Sequence, residues 1–313
     1  MGRPLRNTDP NIVHLMSCRT VNAQLLMVPD EELVDIVGGV IAKYQKKHGI
    51  IIFALIVLSN HYHLLSNAPK ANLHAFAEDV NREIAKRINR YLRRKSFFWG
   101  RRYDAIPVIE ERDALEGLLY IATNATKHGL VKHSKTWPGL STYFELTTGR
   151  EKSYRFTNWT SYSAAIRRSE KTGEQVFKRD HQTEYPLKLT PIPYFGCSSM
   201  KEQAKKLKPL IEERNRELIE EREKAGQGFL SRKEVLGQSR KEYPKEVSSS
   251  PRPKCYTKST EAWKIFQNQE RLRVSAYKEA SHSFRSGNLS VEFPIHCLRP
   301  PPDRPPAELA YIR

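Results

Sequence analysis

IIIFALIVLSNHYHLLS, residues 50–66, is the stretch from which the chain is best read. Nine apolar residues in a row lead to Ser59-Asn60, and two histidines follow one residue apart. The stretch is either one long bent strand or a hairpin-like pair, about 50–58 and 61–66, around Ser59-Asn60. On a strand, residues i and i+2 share a face. His61 and His63 therefore project together, and Tyr62 turns the other way into packing. Two neutral imidazoles side by side suit a divalent metal. Two strand histidines facing solvent are the plainer reading, and an isolated His-x-His favours it.

Outward from this stretch the pattern is regular. Residues 12–20 alternate like a strand. Residues 30–48 place Leu33, Val37, Val40, Ile41 and Tyr44 on one helical face, with Asp30 as N-cap, acids in the first turn, lysines in the last and Gly49 as the stop. The pair Gly38-Gly39 weakens this helix by about 1 kcal/mol per glycine. Residues 71–94 repeat the apolar stripe through Leu73, Phe76, Val80, Ile84 and Ile88. Residues 97–109 read as a strand and 111–128 as a third helix closed by Gly129. Strand, helix, strand, strand, helix, strand, helix is an α+β order. It predicts a ferredoxin-like split βαβ arrangement, an antiparallel sheet with helices on one face.

The totals narrow the partner. The chain has 313 residues, a net charge of +18 and a pI near 9.7. That surplus points to an anionic partner, with nucleic acid the default. Residues 81–102 hold nine Lys/Arg against one acid, Glu83. Arg82, Lys86, Arg90, Arg93 and Arg94 fall near one face opposite the apolar stripe, and Arg101 and Arg102 follow. A solvated helix face is the ordinary explanation, but this ratio exceeds it and favours phosphate contact. Phe97, Phe98 and Trp99 are equally suited to stacking bases and to the core. Cys18, Cys197, Cys255 and Cys297 are scattered singly, which disfavours a zinc knuckle and reads as four reduced thiols. The start MGRPLRNTDP reads as no signal peptide. The longest apolar run, residues 49–58, is about half of a membrane span. The expectation is a soluble, cytoplasmic, nucleoid-associated protein without membrane contact.

The third helix carries Tyr120 and Asn124, whose i, i+4 spacing puts phenol and amide on one face. Alone, Tyr120 reads as a core-boundary residue and Asn124 as a helix-end cap. A histidine pair, a basic helix and a downstream Tyr-x-x-x-Asn helix together form a much rarer pattern. The wording resembles single-tyrosine HUH transposases of the insertion-sequence-200/605 type, especially their REP-associated branch. Those proteins carry Asn-His-x-His-Leu-Leu on a strand, as residues 60–65 do here. Their later helix reads Tyr-Ile-x-x-Asn-Pro, a basic residue, then Gly-Leu-Val. Here stand Tyr120-Ile121, Asn124, Lys127 and Gly129-Leu130-Val131. Trp99 and Arg102-Tyr103 match a Trp-containing strand before an Arg-Tyr pair. Ala125 and Ser59 stand where the family has proline.

The resemblance covers about residues 12–145 and implies cleavage and rejoining of single-stranded DNA at hairpins. Tyr120 would be the nucleophile, forming a 5′-phosphotyrosine. His61, His63 and Asn124 would hold Mg²⁺ or Mn²⁺. Lys127 joins the DNA-binding candidates, and no nucleotide cofactor is needed. Relatives include monomers and homodimers. Tyr103 is a rival nucleophile without an Asn four residues on. An HUH replication-initiator or relaxase-type nickase, a catalytically silent transposase-derived DNA-binding protein and a plain RNA- or hairpin-binding module stay open. The HUH domain is placed at 1–145. A basic extension with short strands and a charged helix bent at Pro209 occupies 146–237, a flexible linker 238–258, and a C-terminal helix with a Pro-rich tail 259–313. FLSRKEVL (229–236) and VEFP (291–294) resemble the extension of longer family members.

Overall fold

The computed structural model describes residues 5–243 and 253–300. The first part runs β1 (Val13–Arg19), α1 (Glu31–His48), β2 (Ile51–Val57), β3 (His61–Asn67), α2 (Leu73–Tyr91), β4 (Asp104–Pro107) and α3 (Glu111–Lys127). The four strands lie in the order β2-β3-β1-β4, and every neighbouring pair is antiparallel. This is the α+β, ferredoxin-like sheet expected from the sequence. The caps hold as well. Asp30 accepts the Leu33 N–H at 2.7 Å, and Gly49 ends α1 in the left-handed region at φ 67°.

The helices divide between the two faces of the sheet. Met16, Tyr62 and Leu64 pack with Val37, Ile41, Phe76, Val80 and Ile84, so α1 and α2 cover one face as a split βαβ fold requires. Leu15, Phe53, Ile56 and Leu65 pack with Leu118, Ile121 and Ala122, so α3 covers the opposite face. The expectation of helices on one face therefore holds for α1 and α2 and is corrected for α3. The strand expected over 97–109 shrinks to β4. Ahead of it, 98–100 keeps only an isolated antiparallel bridge, Trp99 to Thr20, at the end of β1, while Phe98 is buried and Trp99 packs edge-on against Tyr62 and donates to the Asn81 carbonyl at 2.8 Å. Phe97 stays exposed.

The chain beyond 145 is built onto the same core. It continues as α4 (Tyr143–Thr148), β5 (Lys152–Thr157), α5 (Trp159–Thr172), β6 (Gln182–Leu187), α6 (Met200–Lys224), α7 (Arg232–Leu236) and α8 (Thr260–Arg285). The β5–β6 hairpin lies on α1, and its Tyr154, Phe156 and Leu187 are buried in the α1–α2 cluster. Leu207 and Ile211 of α6 join the α3 cluster, and α6 runs unbroken through Pro209. Asn215 of α6 accepts from Thr126 of α3 at 3.0 Å. Both sheet edges are met by later chain. The Val57 N–H donates to the Leu140 carbonyl at 2.8 Å, and the Tyr256 N–H donates to the Pro107 carbonyl at 2.8 Å.

The expected linker 238–258 is anchored on both sides of 244–252, which lie outside the described residues. Ser59 donates to Gln238 at 2.9 Å, and Arg240 pairs with Asp30; Lys258 N–H donates to Asp113 at 3.1 Å. Most of the proline-rich tail, from residue 301, also lies outside the described residues. The four cysteines are free. Among the described residues, no helix is long and apolar enough to cross a membrane.

The hairpin explains the glycine pair that weakens α1. A Cβ on Gly38 would enter the Tyr154 ring, and one on Gly39 would strike the Arg155 carbonyl. The two glycines cost about 2 kcal/mol in helix propensity. Burial of Tyr154 and Phe156 against them returns about 1.5–3 kcal/mol each. Gly39→Ala should therefore lower stability by about 1–3 kcal/mol despite alanine's better propensity, because backbone cannot move aside as a side chain can. Urea unfolding measures this, and a stabilised variant would mean that β5 does not dock on α1.

Candidate active site

The site forms where β3 faces α3. His61 and His63 project to the same side of the sheet, with ring centroids 4.9 Å apart. Tyr62 points to the other face, fully buried, and donates to Asn81 at 2.9 Å. Across the gap, α3 presents Tyr120 and Asn124 one turn apart. The Tyr120 hydroxyl stands 3.4 Å from His63 Nε2, and the two rings meet edge to face at 5.2 Å. Asn60 Oδ1 lies 2.5 Å from His61 Nδ1. This places the proton on Nδ1 and leaves the Nε2 lone pair of His61 free.

Burial sets the protonation states. It depresses the pKa of His61 well below its ordinary value and that of His63 to about 3. The neighbouring His63 and Arg19 add to the effect on His61, and His128 and Arg19 add to it on His63. Both imidazoles are neutral at pH 7, the form that binds a metal. Burial raises the Tyr120 phenol, and the Asn124 amide and Arg19 pull it back. The Lys127 ammonium sits 4.8 Å above the Tyr120 ring.

Asn124 is wholly buried, and its amide meets the Tyr120 hydroxyl only in a geometry too poor for a hydrogen bond, so its side-chain polar atoms, like His63 Nδ1, are without a well-formed partner. An unmet buried polar atom costs about 1–3 kcal/mol. A capping role is not visible for this side chain, whereas a cation would satisfy its oxygen. Among the described residues no three His, Cys, Asp or Glu side chains gather to hold a metal, and the Asn124 amide is the further protein donor beside the two imidazoles. Two imidazoles and an amide oxygen form a donor set that fits a divalent cation, Mn²⁺ better than Mg²⁺.

The family described as IS200-like transposases matches residues 11–123, which span β1 through most of α3. This segment is similar to IS200-like transposases. The match stops one residue before Asn124. Among solved structures, a REP-associated tyrosine transposase bound to a REP hairpin is similar at 17% identity, covering 47% of this chain and 83% of that one, with a TM-score of 0.39. A candidate transposase of Deinococcus radiodurans R1 is similar at 18% identity, covering 36% of this chain and 89% of the other, with a TM-score of 0.28. No curated protein matches the chain.

The matched segment does not gather all of the sequence-expected residues at one place. Lys127 stands at Tyr120. The basic stripe of α2 lies across the sheet from it, because α2 and α3 cover opposite faces. Arg82 is paired with Asp79, and Arg90 stacks on Trp159 at 4.0 Å. Lys86 and Arg93 are exposed, while Arg94 is half-buried. Arg101 pairs with Asp104 at 2.9 Å, and Arg102 is exposed. Tyr103 is buried in the α1–α2 cluster beneath Arg6, away from the histidines.

Two residues at the site escape sequence reading. Arg19 ends β1 directly opposite His61 in the antiparallel ladder. Directly opposed residues share a face, so its cation is added to the histidine side. His128 caps α3 with its ring centroid 6.5 Å from that of His61. The extension fixes this end of α3: Arg222 of α6 donates to the Lys127 carbonyl at 3.2 Å, and Leu230 N–H donates to the Gly129 carbonyl at 2.9 Å.

Proposed function

We propose that the chain cleaves and rejoins single-stranded DNA beside a hairpin, with Tyr120 as the nucleophile. The observation that supports this most is the approach of the Tyr120 hydroxyl to His63, beside His61 and a buried Asn124 without a well-formed partner. The Tyr120 oxygen attacks phosphorus and forms the P–O bond of a 5′-phosphotyrosine. The bond from phosphorus to the 3′-oxygen breaks; the phenol gives its proton to solvent and the 3′-oxygen takes one from solvent to leave as a 3′-hydroxyl, so the step is proton-neutral. The phosphodiester is conserved in the protein–DNA link, so rejoining needs no nucleotide cofactor.

His61, His63 and Asn124 would hold a divalent cation, which when bound would polarise the scissile phosphate. The chain's own groups prepare the rest. Burial keeps Tyr120 protonated at rest, and Arg19 and Lys127 favour its anionic form as the proton leaves. Arg19 also meets the charge that grows on the phosphate. Removing one such preorganised cation slows the reaction by about 10²–10³. Arg19→Ala should show that loss in single-turnover cleavage while hairpin affinity stays within a few-fold. A wild-type rate would remove Arg19 from the site.

The proposal is tested with end-labelled oligonucleotides that place a randomised single-stranded flank beside an imperfect hairpin, in Mn²⁺ or Mg²⁺. A nick in the flank is expected. Equal cutting of a hairpin-free duplex would overturn the single-strand assignment.

A further inference from the structure

A large cavity lies away from Tyr120. It is a groove of about 1280 Å³ between the β4 edge of the sheet, which belongs to the segment matched by the family, and α8, which lies beyond that segment. Small-molecule pockets hold about 300–1,000 Å³, so this volume suits a polymer better than a metabolite. α8 spans the groove without packing into it. Only Ala280 and Ser281 of its 26 residues are buried.

The face that α8 turns to the groove has a seven-residue rhythm. Lys264, Arg271 and Lys278 recur two turns apart, over about 21 Å of helix at 1.5 Å per residue. Aromatic rings precede the first and last of them, Trp263 and Tyr277, and Trp263 is half exposed. From the sheet side Arg102 lines the same groove. Among the described residues, Arg102, Lys264, Arg271 and Lys278 close no ion pair. The single acid on the lining, Glu270, is held by Arg273 at 2.8 Å. Cations spaced along a line, with the exposed Trp263 ring beside the first and Tyr277, packed on Phe293, beside the last, match a chain of phosphates carrying unpaired bases. A duplex would offer no base faces to the rings.

The groove lies on the α1–α2 side of the sheet, with Leu73 and Tyr103 in its lining, and one end reaches the β4 edge between the two faces. Pro253 and Lys254 line it, and two residues on, Tyr256 pairs with the β4 edge and packs in the same cluster as Tyr120. We infer that the groove between β4 and α8 is a binding track for single-stranded DNA, which carries the strand flanking the Tyr120 site. The identity of the polymer as DNA rests on the function proposed above; the track itself rests on the groove.

The test uses full-length protein and a fluorescein-labelled 20-residue oligo(dT), read by anisotropy across a salt series. Wild type should bind, and Trp fluorescence should be quenched by stacking. The triple variant Lys264→Glu, Arg271→Glu, Lys278→Glu should lose affinity by an order of magnitude or more and flatten the log–log salt slope by about 2, at about 0.7 per lost single-strand contact. Trp263→Phe should bind with less quenching. Circular dichroism and unfolding midpoints equal to wild type would show that the variants are folded. Unchanged affinity and slope in the triple variant would overturn the inference. So would loss of binding from Lys86→Glu with Arg93→Glu but not from the α8 changes, which would put the strand on α2. A wild-type dimer that the α8 changes convert to monomer, with oligo(dT) binding intact, would make the groove an interface between copies. Tyr120 adduct formation separates the two readings: adduct without groove binding defeats only the track, and groove binding without adduct defeats only the nucleophile.

Discussion

Tyr120→Phe protein, mixed with hairpin substrate and Mn²⁺, will carry no covalently attached DNA, and cleavage will fall by at least about a thousandfold. The change removes one oxygen. The ring remains, so its contacts with His63 and with the Lys127 ammonium remain, and α3 keeps its packing. Asn124 and both histidines are untouched, so hairpin affinity should stay within a few-fold. Tyr103→Phe should leave the adduct intact, because Tyr103 is buried in the cluster on the opposite face of the sheet. Mapping the DNA-bearing peptide decides the matter. An adduct that survives in Tyr120→Phe, or a peptide containing Tyr103, would remove the helix-borne nucleophile.

What could be read from the sequence was local. The limits of α1 and α3 follow from caps, acids in first turns and glycines after the last, all within a few residues of the helix ends. The shared face of His61 and His63 follows from the period of a strand. Arg19 could not be found this way. It meets His61 only through the register of β1 against β3, a pairing across 42 residues that no spacing encodes. The side of the sheet that α3 covers is likewise a tertiary choice. It separates Tyr120 from the α2 basic stripe, whose charge favours phosphate contact but says nothing of which face it occupies.

The glycine pair of α1 shows the same limit from the other direction. As helix residues Gly38 and Gly39 are a defect; they make sense only once β5 crosses them. The extension, read as a basic appendage, covers sheet edges and pins the end of α3 that carries Asn124 and Lys127. It therefore helps to set the geometry of the site it follows in sequence. The segment 97–109 failed as a strand for a related reason. Its apolar residues satisfy the alternation, but only Trp99 bridges the end of β1 before the chain turns into β4, and Phe98 and Trp99 bury their rings against the α2 side.

Asn124 offers the second decisive result. Calorimetric titration of Mn²⁺ should give a clear binding isotherm with wild type, and none with His61→Ala, His63→Ala or Asn124→Leu. Asn60→Ala should bind about 10–100-fold more weakly, since it removes the acceptor that orients His61 without removing a ligand. Stability should move the opposite way at Asn124. In the metal-free protein its buried amide has no well-formed partner, so exchange for leucine of similar size removes a penalty of about 1–3 kcal/mol. Metal-free Asn124→Leu should therefore unfold at higher urea than metal-free wild type, and added Mn²⁺ should raise the midpoint of wild type alone. A residue kept for the fold would behave otherwise: its loss would destabilise the metal-free protein and leave the isotherm intact. That outcome would return Asn124 to the helix and leave the histidine pair without its third ligand.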